Sequence, residues 1–290
     1  MASDSIRRFL FEKLGIRGEI VRLKHSYKTV LERHSYPPEL AQLLGQAMAA
    51  VSLLGATIKY QGKLTLQVQG SGPVNLLIVE YDSQRQIRGI INWKEDSLLD
   101  MEIGKLFGDG HMAITVNPHD KASQYQGIVE LVEPSLAGCI EHYFKQSEQL
   151  ATCLWLVVDA NCVAGFMLQQ MPGTTEESDD WQRVKLLAET LSDDELLTLD
   201  DEALLHRLFH DDDILLFESE AIRFHCSCSR ERIERMLLGL GKDEVDSIIQ
   251  EQGNIDVACE YCNKNYSFDS VDAMQLFTDG DVGLHSDTRH

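Results

Sequence analysis

CSCSRERIERMLLGLGKDEVDSIIQEQGNIDVACEYC, residues 226–262, sets the reading of the whole chain. It carries two cysteine pairs, Cys226 with Cys228 and Cys259 with Cys262, separated by thirty residues. Between them Ser229 is placed to cap a helix whose apolar face is Ile233, Met236, Leu237 and Leu240, and Gly239 and Gly241 end it. A second helix is expected over 244–251, and Gly253-Asn254 then turn the chain into a hairpin around Cys259 and Cys262. A unit of about 65 residues buries too little apolar surface to stand comfortably alone, so something must staple it. Four thiolates satisfy the tetrahedral preference of zinc, and a C-x-x-C in a hairpin turn has the form of a zinc knuckle. The expectation is one Zn2+ per chain on Cys226, Cys228, Cys259 and Cys262.

His225, beside Cys226, is the competing ligand, and His285 and His290 lie in a polar tail without matching spacing. Four cysteines fill a structural site and leave no position for a substrate water, which argues against hydrolytic zinc catalysis. No H-x-E occurs in the chain, which disfavours a zinc deaminase. A structural zinc contributes roughly 10–16 kcal/mol in small zinc peptides, more than so small a unit reaches otherwise. Removing the metal should therefore unfold it. Oxidants can do so, because thiolates are the oxidisable form and a disulfide sulfur is a poor zinc ligand.

Upstream, residues 174–220 hold 16 acidic residues and three basic ones. Val184, Leu186, Leu187, Leu191, Leu196, Leu197, Leu204, Leu205, Leu208 and Phe209 nevertheless recur at helical spacing. The plain reading is two or three acidic amphipathic helices docked on the first domain. The sharper reading is a metastable segment, whose self-repulsion offsets its apolar docking so that little energy releases it. Leu186, Leu187, Leu204, Leu205 and Phe209 are then the candidate apolar surface.

Earlier still, residues 5–170 read as one mixed domain. Residues 5–14 have helical apolar spacing, broken by Gly15 and Gly18. Pro37-Pro38-Glu39 opens a largely apolar helix to about Thr57. Strands are expected at 63–69, 75–81, 87–93, 111–116, 126–132, 154–158 and 163–169, with a helix over 134–148. The fold class is α+β: an N-terminal mixed α/β sandwich-like domain (1–173), an acidic helical linker (174–222) and a small C-terminal zinc-binding domain (223–290). Gly70-Ser71-Gly72-Pro73 lacks the rest of a phosphate-loop pattern and reads as a tight turn. Cys139, Cys153 and Cys162 read as core thiols. Trp93, Trp155 and Trp181 read as packing residues.

The 290 residues carry a net charge of −21, which argues against a general grip on nucleic acid or anionic membrane. The N-terminal residues lack the apolar run of a secretory signal, and the apolar stretch 47–58 is better read as a buried helix than as a span of about 20 residues. A cytoplasmic protein is expected, and seven cysteines there do not make a permanent disulfide framework.

These stretches together resemble a known family, the redox-regulated heat-shock chaperones known as 33 kDa chaperonins. The resemblance rests on the C-x-C and C-x-x-C pairs with RRFLFEKLGIRGEIVRL, LTLQVQGSGPVNLL, QYQGIVEL, HYFKQSEQL, CSCSRERIERMLLGLG and EVDSIIQEQGNIDVACEYC, and covers nearly the whole chain. It implies a non-enzymatic, ATP-independent holdase that is inactive with zinc bound to reduced cysteines. Carried onto this chain, it implies that oxidation forms disulfides Cys226–Cys228 and Cys259–Cys262 and releases zinc. It further implies that the small domain and linker then unfold, and that the protein dimerises, binds unfolding clients and passes them to the ATP-driven chaperone system. Two alternatives stay open. A zinc-ribbon nucleic-acid binder would use Arg230, Arg232 and Arg235, although the surrounding acids outnumber them. A thiol–disulfide oxidoreductase would use C-E-Y-C, although that pair normally sits at a helix N-terminus beside a βαβ unit.

Overall fold

A helix of twenty mostly apolar residues needs cover on every side, and the first unit of the chain is arranged to give it. The computed structural model describes residues 4–57, 61–94, 102–118, 124–173 and 178–279. Residues 174–177, His285 and His290, for which the sequence gives expectations, lie outside the described residues. Two compact units emerge, Met1–His225 and Cys226–His290.

The first unit opens with a hairpin of β1 (Ser5–Phe11) and β2 (Ile16–Leu23), then α1 (His25–Arg33) and the long apolar α2 (Pro38–Thr57). Strands β3 (Gly62–Gln69), β4 (Val74–Asp82) and β5 (Gln86–Trp93) follow as a meander. After the short α3 (Ile103–Phe107) come β6 (His111–Pro118) and β7 (Tyr125–Glu130). Helix α4 (Leu136–Tyr143) runs into a π-helical turn, Phe144–Glu148, and leads to β8 (Thr152–Val158) and β9 (Val163–Gln170). Helix α2 touches β2, β8 and β9 on one side and β3, β4 and β5 on the other, so it lies between two sheets. Among the described helices it has the length and apolarity of a membrane span, but its surroundings are those of a core helix.

Residues 5–14, expected as a helix, are instead strand β1 and a turn. Phe9 and Phe11 enter one buried cluster and Ile6 enters another, so the segment alternates between two cores. Gly18 does not break a helix; it lies in β2, where an added Cβ would fall 2.1 Å from the Phe9 ring. The other expected strands and the α2 helix are present with small shifts at their ends. The Gly70–Pro73 turn exists because of close packing: a Cβ on Gly70 would meet the Phe107 carbonyl oxygen at 2.0 Å.

The acidic segment folds as α5 (Asp179–Ala188), α6 (Asp193–Thr198) and α7 (Asp201–Phe209). Each has a side-chain N-cap, Ser178, Ser192 and Asp200 respectively, and acids in the first turn suit the positive helix end. Their stripe of Trp181, Val184, Ala188, Leu196, Leu204, Leu205, Leu208 and Phe209 covers the outer face of the β1-β2-β9-β8 sheet, on Phe9, Phe11, Ile16, Ile20, Phe166 and Leu168. Leu186 departs from the expected stripe and is 62% exposed. Beyond α7 the chain becomes a strap. Its strands β10 (Ile214–Leu216) and β11 (Glu220–Ala221) pair with β1, and β12 (Arg223–Phe224) pairs with β5 of the other sheet.

The second unit holds α8 (Arg230–Leu240), α9 (Lys242–Gln252), the hairpin β13 (Ile255–Ala258) with β14 (Asn265–Phe268), and α10 (Ser270–Asp279). Its fully buried apolar core is small: Leu237, Val245, Ile255, Tyr266, Phe268 and Ala273. Met236 and Leu240, expected on the buried face of α8, are each about half exposed.

Candidate metal centre

Short-range turn chemistry positions the cysteines. Ser229 ends the extended segment that carries Cys226 and Cys228 by capping α8, accepting from the Arg232 amide at 3.3 Å. The other pair sits in the turn of the β13–β14 hairpin. There the Asn263 amide donates to the Cys259 carbonyl at 2.7 Å, and Asn263 takes a left-handed φ of 54° that asparagine tolerates. Arg230 locks the two halves together. Its guanidinium donates to the Ser267 carbonyl at 3.0 Å, pairs with Asp272 at 2.8 Å and lies 4.3 Å over the Phe268 ring.

The result is that the Sγ atoms of Cys226, Cys228, Cys259 and Cys262 all lie within 4.8 Å of one another. The shortest separations run between the motifs, 3.6 Å for Cys226 to Cys259 and 3.3 Å for Cys228 to Cys262. Zinc–sulfur bonds of about 2.3 Å put tetrahedral sulfurs about 3.8 Å apart, so the cluster fits a zinc ion in donor type and in size. Burial raises the Cys226 and Cys262 thiols, and the backbone amides of Cys228 and Lys264 act in the opposite sense. Burial also works against a charged Cys228, but hydrogen bonds led by the Tyr266 hydroxyl, 3.2 Å away, outweigh it and bring that thiol down to about 7. Sequence reasoning missed Tyr266; its position one residue into β14 gave no sign that it would meet the C-x-C pair.

Arg230, Arg232 and Arg235, the basic face weighed for nucleic acid, are engaged within their own unit. Arg232 donates to Ser227 and Arg235 to the Glu231 carbonyl. Cys259 and Cys262 lie in a hairpin turn rather than at a helix start, and so lack the setting expected of a redox-enzyme pair. Cys139, Cys153 and Cys162 are buried in the first unit, as expected of core thiols.

Two sheets enclosing a helix, acidic helices docked on the outer face, and a small module in which four cysteine sulfurs converge define an α+β protein with a metal-type staple at its end. That combination has known relatives. The model of the family described as Hsp33 protein matches residues 4–269. A 33 kDa chaperonin of Shewanella woodyi is 43% identical over 278 residues, covering 96% of this chain and 97% of that one. One from Nitrosococcus oceani is 44% identical over 287 residues, 99% of each. The crystal structure of a 33 kDa chaperonin, a heat shock protein 33 homolog from Thermotoga maritima, has the same fold, with a TM-score of 0.83 at 23% identity over 96% of this chain and 99% of that one. The chain belongs to the Hsp33 family. It is thereby a heat-shock chaperone, a class of protein that binds unfolded clients.

Proposed function

We propose that the chain is a redox-switched, ATP-independent holdase of the cytoplasm, shut when reduced and opened by oxidation. The observation that carries this reading is the convergence of four sulfurs in a module with six buried core residues. Cys226, Cys228, Cys259 and Cys262 are taken as the ligands of one zinc per chain. Zinc, when bound, supplies a four-way cross-link that is lost once the sulfurs are joined to one another. The joining follows Cys226–Cys228 and Cys259–Cys262, in keeping with the resemblance. Each pair of thiolates gives two electrons to hydrogen peroxide, which takes two protons from solvent and leaves as two waters.

The chain's own residues do the rest. Without the cross-link the second unit keeps too little core to stay folded. The strap β10–β12 runs directly into that unit, and the acidic helices before it repel one another. Their release uncovers Phe9, Phe11, Ile16, Ile20 and Phe166, an apolar face suited to unfolding polypeptides. Oxidised copies associate as homodimers and hand their clients to the ATP-driven chaperone system.

The test measures zinc content and suppression of citrate synthase aggregation side by side, before and after peroxide with mild heat. Protection should rise as zinc is lost, with peptide mapping returning the two disulfides named. Equal protection by the reduced, zinc-loaded protein would end the proposal.

A further inference from the structure

The face beneath the acidic helices is not uniformly apolar. Register places Ser5, Arg7, Phe9 and Phe11 of β1 on the same side as Ile16, Gly18, Ile20 and Arg22 of β2, and next to Phe166 and Leu168 of β9. Phe9 stacks on Phe166 at 5.6 Å, and Phe11 meets Phe209 of α7 edge-on at 5.0 Å. At one end of this aromatic floor stand two guanidinium groups, those of Arg7 and Arg22. Both are largely covered, with side chains 23% and 14% exposed.

These arginines read the junction between α6 and α7. Arg22 pairs with Asp201, in the first turn of α7, and donates to the Leu196 and Leu199 carbonyls at 3.3 and 2.7 Å. Arg7 reaches Glu202 at 3.4 Å and Asp201 at 3.9 Å, and donates to the Phe217 carbonyl at 2.8 Å. The occupant of the face is therefore an amphipathic helix with carboxylates in its first turn, preceded by helix-end carbonyls that accept from Arg22. When it leaves, the two arginines remain beside the floor. A wholly apolar ligand would then cover guanidinium groups without a counter-charge, and that is strongly disfavoured, whereas a ligand bringing a carboxylate is not penalised.

From this charge and shape complementarity we propose that the uncovered face selects client segments that resemble the chain's own linker: amphipathic helices with acidic residues in their first turn, read by Arg7 and Arg22. This deepens the holdase reading and rests on it. The arginines are both the latch that holds the cover and the specificity element exposed when the cover goes.

The probe is a fluorescent synthetic peptide of residues 179–212, compared with the same peptide carrying Asp200→Asn, Asp201→Asn and Glu202→Gln. Both are titrated onto the full-length chain after peroxide and heat, and the ratio of affinities is read, because the tethered linker competes with both alike. The acidic peptide should bind about tenfold more tightly. That ratio should fall to about one in the Arg7→Gln, Arg22→Gln double variant, which should still bind the neutral peptide and should open at a lower peroxide dose. A general loss of fold would weaken both peptides together and leave no such contrast. Equal binding of the two peptides to the wild type, or an unchanged ratio in the double variant, would overturn the assignment. If neither peptide binds while client aggregation is still suppressed, the selective face is wrong and the holdase reading stands. If aggregation is not suppressed either, both fall.

Discussion

The carboxylate of Glu141, on α4, accepts the backbone amide of Leu154, on β8, at 2.6 Å. Strand β8 is the outer member of its sheet, so this contact occupies an edge amide that would otherwise invite another strand. Burial raises the Glu141 carboxyl, and the Leu154 amide opposes that shift by bonding the charged form. Glu141→Ala should cost about 1–3 kcal/mol, the penalty of an unsatisfied buried amide, and should promote association of the reduced protein. Glu141→Gln keeps an acceptor and should recover most of the loss. Urea unfolding and light scattering of the three proteins check this; an Ala variant as stable and monodisperse as wild type would show that the edge needs no such cap.

Gly18 faces the ring of Phe9, which is itself packed on Phe166 and Phe11. A methyl group there cannot be absorbed without moving a fully buried aromatic. Gly18→Ala should destabilise the first unit by about 1–3 kcal/mol and disturb the floor on which α7 sits. A denaturation midpoint within error of wild type would mean that the Phe9 ring is free to yield.

The same pair shows where sequence reading stops. Strands exposed on one side alternate visibly, and 63–69 is legible for that reason. Strand β1 is covered on both sides, so Ile6, Phe9 and Phe11 lost their period of two and mimicked a helix. The Ser5–Leu23 hairpin depends on contacts with residues 163–221, which no local window contains. The four cysteines are legible because their paired spacing is a feature of the chain itself, and the fold brings the four sulfurs together. Tyr266, Arg7 and Arg22 were not, since their partners lie 38, 194 and 179 residues away in sequence.

Glu19 is a buried carboxyl facing the α2 side of its sheet, and one of its oxygens has no hydrogen-bond partner. Burial raises it to about 7, against the pull of Arg17 and Arg8. The folded value lies above the unfolded one, so the folded chain holds the proton more tightly. Stability from this group is complete below the ordinary carboxylate range and is lost as pH rises through about 7. Glu19→Gln mimics the protonated form. It should gain about 1–3 kcal/mol at pH 8 and under about 1 kcal/mol at pH 5. Urea melts at both values test the sign, and a larger gain at pH 5 would contradict it.

Metal removal should separate the two units. Reduced protein treated with a strong zinc chelator should lose the helix content of α8, α9 and α10, and trypsin should then cut at Arg230, Arg232, Arg235 and Lys242. The fragment that holds β1–β9 should survive, because its two sheets are held by the α2 core between them. Mass spectrometry of the digest decides. A second unit that resists trypsin without metal would remove the ligand assignment of the four cysteines.

In the proposed opening, Phe209 is the clearest of the side chains that hold the cover in place. It is 2% exposed, lies edge-on to Phe11 and stacks at 6.5 Å on Phe166, so it joins α7 to both β1 and β9. Truncation to alanine removes roughly 3–5 kcal/mol of packing at such a site. Self-repulsion among the other acids of the segment adds to that loss, Asp201 and Glu202 being paired with Arg22 and Arg7. Phe209→Ala should therefore bind a hydrophobic dye and exchange the α5–α7 amides quickly while its cysteines are still reduced and its zinc retained. Leu186→Ala is the control, since that side chain is exposed and should change neither signal. If Phe209→Ala gained dye binding only after zinc loss, docking of α7 would depend on the cysteine module rather than on the aromatic floor, and the threshold for opening would lie with the sulfurs alone.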